Sequence, residues 1–182
     1  MKLIAKIILR IFGWQVIGGV PPEVPKCVVA VAPHTSMWDF VFGRLAFWEL
    51  GLKARFLIKK EIFFWPLGPI VKWLGGIPVD RQKKGNLVEQ VAGMFDKYDS
   101  LYIVVTPEGT RKLVTSWKKG YYYISIKANV PIALGLLDYK KKQGGVVKMI
   151  YPTGNFEADS KLVEEVYRGA GAKHPELFNL SN

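Results

Sequence analysis

Two short stretches carry the residues that can do chemistry. The first is Pro33-His34-Thr35-Ser36-Met37-Trp38-Asp39, which follows an apolar, β-branched run, Cys27 to Ala32 (CVVAVA), and leads into a helix-like segment, Phe40 to Leu50. The second is Pro107-Glu108-Gly109-Thr110-Arg111, which follows Ser100 to Thr106 (SLYIVVT). Each is a polar cluster at the end of a buried-type strand, and in α/β folds that carboxyl edge is where ligands bind. His34, just ahead of a helix start, faces the positive end of the helix dipole, which disfavours imidazolium and keeps a neutral base available. Asp39, five residues on, fits two readings. It can accept from the second ring nitrogen and fix the tautomer, as the carboxylate of a catalytic triad does. It also completes a capping box, [ST]-x-x-[DE], if Ser36 is the helix N-cap. The segment alone leaves both open. Arg111, and Arg81 after a third short strand, suit a bidentate grip on phosphate or another anionic group. For either arginine by itself a surface ion pair is the simpler reading.

Taken together, His34-x-x-x-x-Asp39, Pro107-Glu108-Gly109-Thr110-Arg111, Gly75 to Arg81 (GGIPVDR) and Val130-Pro131-Ile132 resemble, in order, the blocks of the glycerolipid acyltransferase family, the PlsC-like enzymes that acylate lysophosphatidate and other lysolipids. The blocks extend from Pro33 to about Leu134. The resemblance implies acyl transfer from a thioester, acyl-CoA or acyl carrier protein, to a lysolipid hydroxyl, with 1-acylglycerol-3-phosphate the default acceptor and no resident cofactor. It makes His34 the base and Asp39 its orienter, and it places Arg81, Glu108, Gly109, Thr110 and Arg111 at the acceptor. Lys118-Lys119-Gly120 also resembles a family feature, with Lys119 a candidate phosphate contact. Thr106 and Lys112 depart from the family pattern, which often has an aromatic residue and a serine there.

Such a reaction needs no covalent enzyme intermediate. It needs a base for the hydroxyl, donors for the oxyanion and placement of both substrates. Backbone N–H groups near Gly109 and Thr110 are the expected oxyanion donors, Gly109 permits close backbone approach, and Glu108 is the expected contact for an acceptor hydroxyl. Ser36 is better explained as a cap than as a nucleophile.

The elements that must position these residues alternate. Strands are expected at Cys27–Ala32, Ala54–Ile58, Gly76–Val79, Ser100–Thr106, Pro131–Leu137 and Val146–Tyr151, the last two joined by a hairpin turn over Lys140–Gly145. Helices are expected at Phe40–Leu50, Gly85–Tyr98 (Leu87, Val88, Val91, Met94 and Phe95 at helical spacing), Thr115–Ala128 and Asp159–Arg168, with a loosely held tail after Gly169. Glu61–Leu74 holds Phe63, Phe64, Trp65, Pro66 and Trp73. It reads as an irregular aromatic segment plus a short helix, either core or interfacial. The alternation predicts one α/β domain with a mainly parallel or mixed central sheet and covering helices.

Met1–Gly13 places Lys2, Lys6 and Arg10 four residues apart opposite Leu3, Ile4, Ile7, Ile8, Ile11 and Phe12. That is the pattern of a helix lying in a membrane interface. The division expected is 1–17 as this helix and 18–182 as the catalytic domain, with Gly18–Lys26, rich in Gly and Pro, as a loose linker.

Composition agrees with an anionic, lipidic partner. The 182 residues carry 26 Lys and Arg against 15 Asp and Glu, net +11, with 49% hydrophobic residues. That balance suits a peripheral or monotopic protein on the cytoplasmic face of a membrane. No apolar run is long enough to span one, and Arg10 breaks any signal-peptide core. With only His34, His174 and an isolated Cys27, no His/Cys zinc site can be assembled. Cys27 reads as a buried hydrophobe. The basic residues are dispersed and no nucleic-acid-binding signature is present. The alternative from another class is a non-catalytic lipid-binding module on the same fold.

Overall fold

A computed structural model describes residues 1–80 and 87–181. In order these residues form α1 (Lys2–Ile11), β1 (Gln15–Gly18), β2 (Lys26–Ala32), α2 (Trp38–Leu50), β3 (Ala54–Lys59), α3 (Leu67–Trp73), β4 (Gly76–Val79), α4 (Leu87–Ala92), β5 (Leu101–Val105), α5 (Gly120–Ala128), β6 (Ile132–Asp138), β7 (Gln143–Ile150) and α6 (Phe156–Tyr167). The seven strands make one mixed sheet in the order β1-β7-β6-β2-β5-β3-β4. β6, β2, β5, β3 and β4 are parallel neighbours; β7 is antiparallel to β6, and β1 is parallel to β7.

β2 sits at the centre, between β5 and β6, with both faces covered, which is why its sequence is an unbroken apolar run. Alternate residues serve two cores. Val28, Ala30 and Ala32 face Ile103, Leu134, Tyr122, Val163 and Tyr167, beneath α4, α5 and α6. Cys27, Val29 and Val31 face Trp14, Phe42, Leu45 and Leu9, beneath α1 and α2. Burial pushes the Cys27 thiol up to about 12, so it behaves as a small hydrophobe.

The amino-terminal segment departs from expectation. The helix ends at Ile11, and Gln15–Gly18 adds a strand to the sheet beside β7. The approach is close: a Cβ on Gly145 would lie 1.9 Å from the Ile17 carbonyl oxygen, so only glycine fits there. Trp14 is buried and stacks on Phe42 with ring centroids 4.4 Å apart, which ties the segment to the domain rather than leaving it on a loose linker. α1 packs Ala5 and Leu9 inward against α2 while Leu3, Ile4, Ile7, Ile11 and Phe12 stay exposed. The packed face and the exposed apolar face are thus different sides of one helix.

Further segments differ from the sequence reading or go beyond it. α5 begins at Gly120, five residues later than expected, and α4 stops at Ala92. α6 is anchored, with Val163 and Tyr167 fully buried and the Tyr167 hydroxyl donating to the Ala30 carbonyl at 2.7 Å. The tail is pinned: the Trp117 indole donates to Asn179 O (2.9 Å), its backbone N–H donates to Ser181 Oγ (2.6 Å), and Tyr139 N–H donates to Gly171 O (2.7 Å). The aromatic stretch lies outside the core, with Phe64, Trp65 (84% exposed), Ile70 and Trp73 open to solvent. Among the described residues no helix is long and apolar enough to cross a membrane.

Candidate active site

Three adjacent parallel strands, β6, β2 and β5, end at the same edge of the sheet, and each delivers one polar side chain there. Just past β2 comes His34. Nδ1 of its ring lies 3.3 Å from Asp39 Oδ2. The other nitrogen, Nε2, takes no hydrogen bond among the described residues, and the side chain is 24% exposed. The imidazole is thus held by one nitrogen and open at the other.

Asp39 lies in the first turn of α2 and is buried. Its Oδ2 also accepts the backbone N–H groups of Thr35 and Ser36, each at 2.7 Å, and Oδ1 accepts the Tyr139 hydroxyl at 2.7 Å. Ser36 Oγ accepts the Trp38 N–H at 3.3 Å. The capping box expected on Ser36 is not formed as read: α2 takes Met37 as its N-cap with no side-chain cap bond, and Asp39 is its second residue. The carboxylate that binds the two backbone N–H groups ahead of the helix is also the one that faces the imidazole. Burial works to raise this carboxyl, but the contacts to His34, to the Ser36 N–H and to Tyr139 outweigh it and hold the group below its ordinary range. It is a carboxylate with fixed donors on both oxygens.

Past β5, Glu108 turns inward. It is 2% exposed, and Oε1 accepts the backbone N–H of His34 at 3.0 Å, tying the two polar loops together. Oε2 is buried with no hydrogen-bond partner among the described residues. Burial, and more weakly the charge of Asp39, push this carboxyl up to about 7, against the opposing effect of His34. The carboxyl is thus enclosed, and its one hydrogen bond goes to the His34 backbone.

The rest of the loop is partly as expected. Gly109 has φ +66, and its N–H closes a turn onto Thr106 O at 3.0 Å, so that donor is already engaged. A Cβ at Gly109 would come within 2.7 Å of the Lys118 side chain, whose backbone N–H donates to Pro107 O at 2.7 Å. Lys118 thus lies against the loop. Lys119 does not join it; its ammonium sits 4.3 Å from the Phe156 ring centroid, at the start of α6. Thr110 Oγ1 accepts the Lys112 N–H at 3.3 Å, and Arg111 is exposed. Arg81 lies outside the described residues.

Two contributors escape sequence reasoning. Tyr139, one residue past β6, donates to Asp39 from a hundred residues away. The tail crosses the site: His174 N–H donates to Thr35 Oγ1 at 3.2 Å, and Lys173 Nζ lies 5.0 Å from the Trp38 ring centroid. Neither has a local signature, since only the strand order and the course of the tail bring them there. Among the described residues no cluster of three His, Cys, Asp or Glu side chains is placed to hold a metal.

Comparison with known proteins places this geometry. The sequence pattern of the Acyltransferase family matches residues 21–133, well over half of the chain, and takes in both polar loops. The chain belongs to the acyltransferase family. Tyr139, Lys173 and His174 fall beyond the matched residues of this family member. The chain is similar to human 1-acyl-sn-glycerol-3-phosphate acyltransferase beta, with 30% identity over 118 residues, covering 60% of this chain and 40% of that one. It thus spans less than half the length of that relative. Its fold is similar to that of the 1-acyl-sn-glycerophosphate (LPA) acyltransferase PlsC from Thermotoga maritima, with a TM-score of 0.64, 20% identity, and coverage of 93% of this chain and 76% of that one.

Proposed function

We propose that this acyltransferase moves a fatty acyl group from a thioester, acyl-CoA or acyl carrier protein, to the free hydroxyl of a lysolipid, with 1-acylglycerol-3-phosphate as the acceptor, at the cytoplasmic face of a membrane. The observation that carries the reading is the His34 ring, facing a buried carboxylate through Nδ1 and open at Nε2. In the proposed reaction, Nε2 takes the proton of the acceptor hydroxyl as that oxygen attacks the thioester carbonyl. The Nδ1 proton stays directed at Asp39, which stabilises the imidazolium. The tetrahedral oxyanion collapses with loss of thiolate, and the thiolate recovers the proton from Nε2. Arg111 and Arg81 grip the acceptor phosphate, a task for which a guanidinium fork is suited, with Thr110 next to Arg111 in the chain and Lys118 a better-placed cation than Lys119. Glu108 acts on this site through the His34 backbone.

Membrane attachment is assigned to α1 and the segment through α3, whose exposed aliphatic and aromatic side chains stand beside Lys2, Lys6 and Arg10. Incubating the purified protein with labelled acyl-CoA or acyl carrier protein and a panel of lysolipids, then identifying products by mass, tests the reading. Acylated lysophosphatidate is the expected product. Lipid binding without any acylated product would favour a non-catalytic lipid-binding protein instead.

A further inference from the structure

At the opposite edge of the sheet from His34 lies a cavity of about 320 Å³, where the first residues of α1, the end of α2, the start of β3 and the end of α3 meet. Among the described residues four with cationic side chains line it, Lys2, Arg44, Lys53 and Arg55, with Trp48 and Trp73, and none with a carboxylate side chain does. Trp48 is nine residues along α2 from Asp39, about 13 Å at the helical rise, so this is a place distinct from the catalytic edge.

Arg44 is the unusual member. It is 8% exposed, its Nη1 donates to the Ala54 carbonyl at 3.0 Å, and its Nε is buried with no hydrogen-bond partner among the described residues. Its guanidinium lies over the Trp48 ring at 4.6 Å and near the Phe56 ring at 5.6 Å, which offsets part of the cost of its charge. The rest is uncompensated, because burial and the neighbouring charge of Arg55 both work against that cation. Two arginines and two lysines around one space, with no carboxylate among the described residues that line it, form a site for an anion. Trp73 lines the cavity and is exposed, and the two helices that contribute to it, α1 and α3, also expose Leu3, Ile4 and Ile70. Cationic lining residues on elements that expose aliphatic and aromatic side chains match a phosphate that carries acyl chains.

We propose that this cavity is a second lipid site, which takes the phosphodiester headgroup of an anionic membrane phospholipid while the acyl chains lie along α1 and α3. It is independent of the acceptor site and of any step that His34 performs.

The test is a titration of the full, isotope-labelled chain with dihexanoyl phosphatidylglycerol below its micelle concentration, followed by nuclear magnetic resonance. Saturable shifts of the Arg44 Nε–H and of the Trp48 and Trp73 indole N–H signals are expected. Lys53→Gln combined with Arg55→Gln should weaken that binding at least tenfold, whereas Arg111→Ala should leave the three signals responding as before. Dihexanoyl phosphatidylcholine, with the same tails and no net charge, should bind at least tenfold more weakly, and so should inorganic phosphate. Silence of the three signals on titration of the unaltered chain would overturn the site, even if the double variant did not fold. Equal affinity for phosphatidylcholine would reduce it to an apolar surface, and equal affinity for inorganic phosphate would make it a soluble-anion site. Either result would contradict the lipid assignment.

Discussion

The Tyr139 hydroxyl donates to Asp39 Oδ1 at 2.7 Å, across a hundred residues of sequence, while Oδ2 of the same carboxylate faces His34. Burial, then the hydrogen bond and charge of Asp39, push the phenol well above its ordinary value, so it stays a donor at any working pH. Tyr139→Phe should keep the ring packing on Trp14 but leave Oδ1 without that donor. A hydrogen bond to a charged group is worth about 1.5–3 kcal/mol, and stability should fall on that scale. The carboxylate then becomes more basic and favours the imidazolium, so the acid limb of the kcat/KM–pH profile should move to higher pH. An unmoved limb would reduce Tyr139 to a packing residue.

Glu108 gives a pH-dependent prediction of known sign. Its folded value near 7 lies above its ordinary value of 4.5, so between those limits the folded state binds the extra proton. Stability is therefore lost as pH rises from about 4.5 to 7, by up to roughly 3 kcal/mol. Glu108→Gln keeps an acceptor for the His34 N–H and removes the titration. Its unfolding midpoint should exceed the wild type's at pH 8, and the two should converge near pH 4.5. Parallel pH–stability curves would show that Glu108 does not titrate as described.

The two faces of α1 allow the proposed membrane docking to be tested apart from folding. Ile7→Gln with Ile11→Gln alters exposed residues and should sharply reduce sedimentation with anionic vesicles while leaving thermal unfolding within about 0.5 kcal/mol. Leu9→Ala, on the buried face, should cost about 2–5 kcal/mol. Unchanged vesicle binding in the double variant would assign attachment to other surfaces.

How much of this was legible in the sequence follows from how local each signal is. Cys27–Ala32 and Leu101–Val105 announce buried central strands because both their faces are covered, and His34 to Asp39 is a single strand–turn–helix passage. β1 carries only four residues and exists through its pairing with β7, so Gln15–Gly18 read as part of a helix and its linker. α6 looked polar because its charges outnumber the two residues, Val163 and Tyr167, that anchor it. Tyr139 and the tail residues reach the site only through sheet order and the path of the chain. The burial of Glu108 was not legible, because whether a loop carboxylate is enclosed depends on what packs over it.

The central claim is that His34 is the base, and the acyl-transfer rate of His34→Ala, with its fold verified by unfolding, tests it most directly. The account predicts a loss of about 10²–10⁴-fold, the contribution typical of a positioned general base, in a protein that still folds. Turnover of lysolipid at the wild-type rate by a folded His34→Ala protein would contradict it.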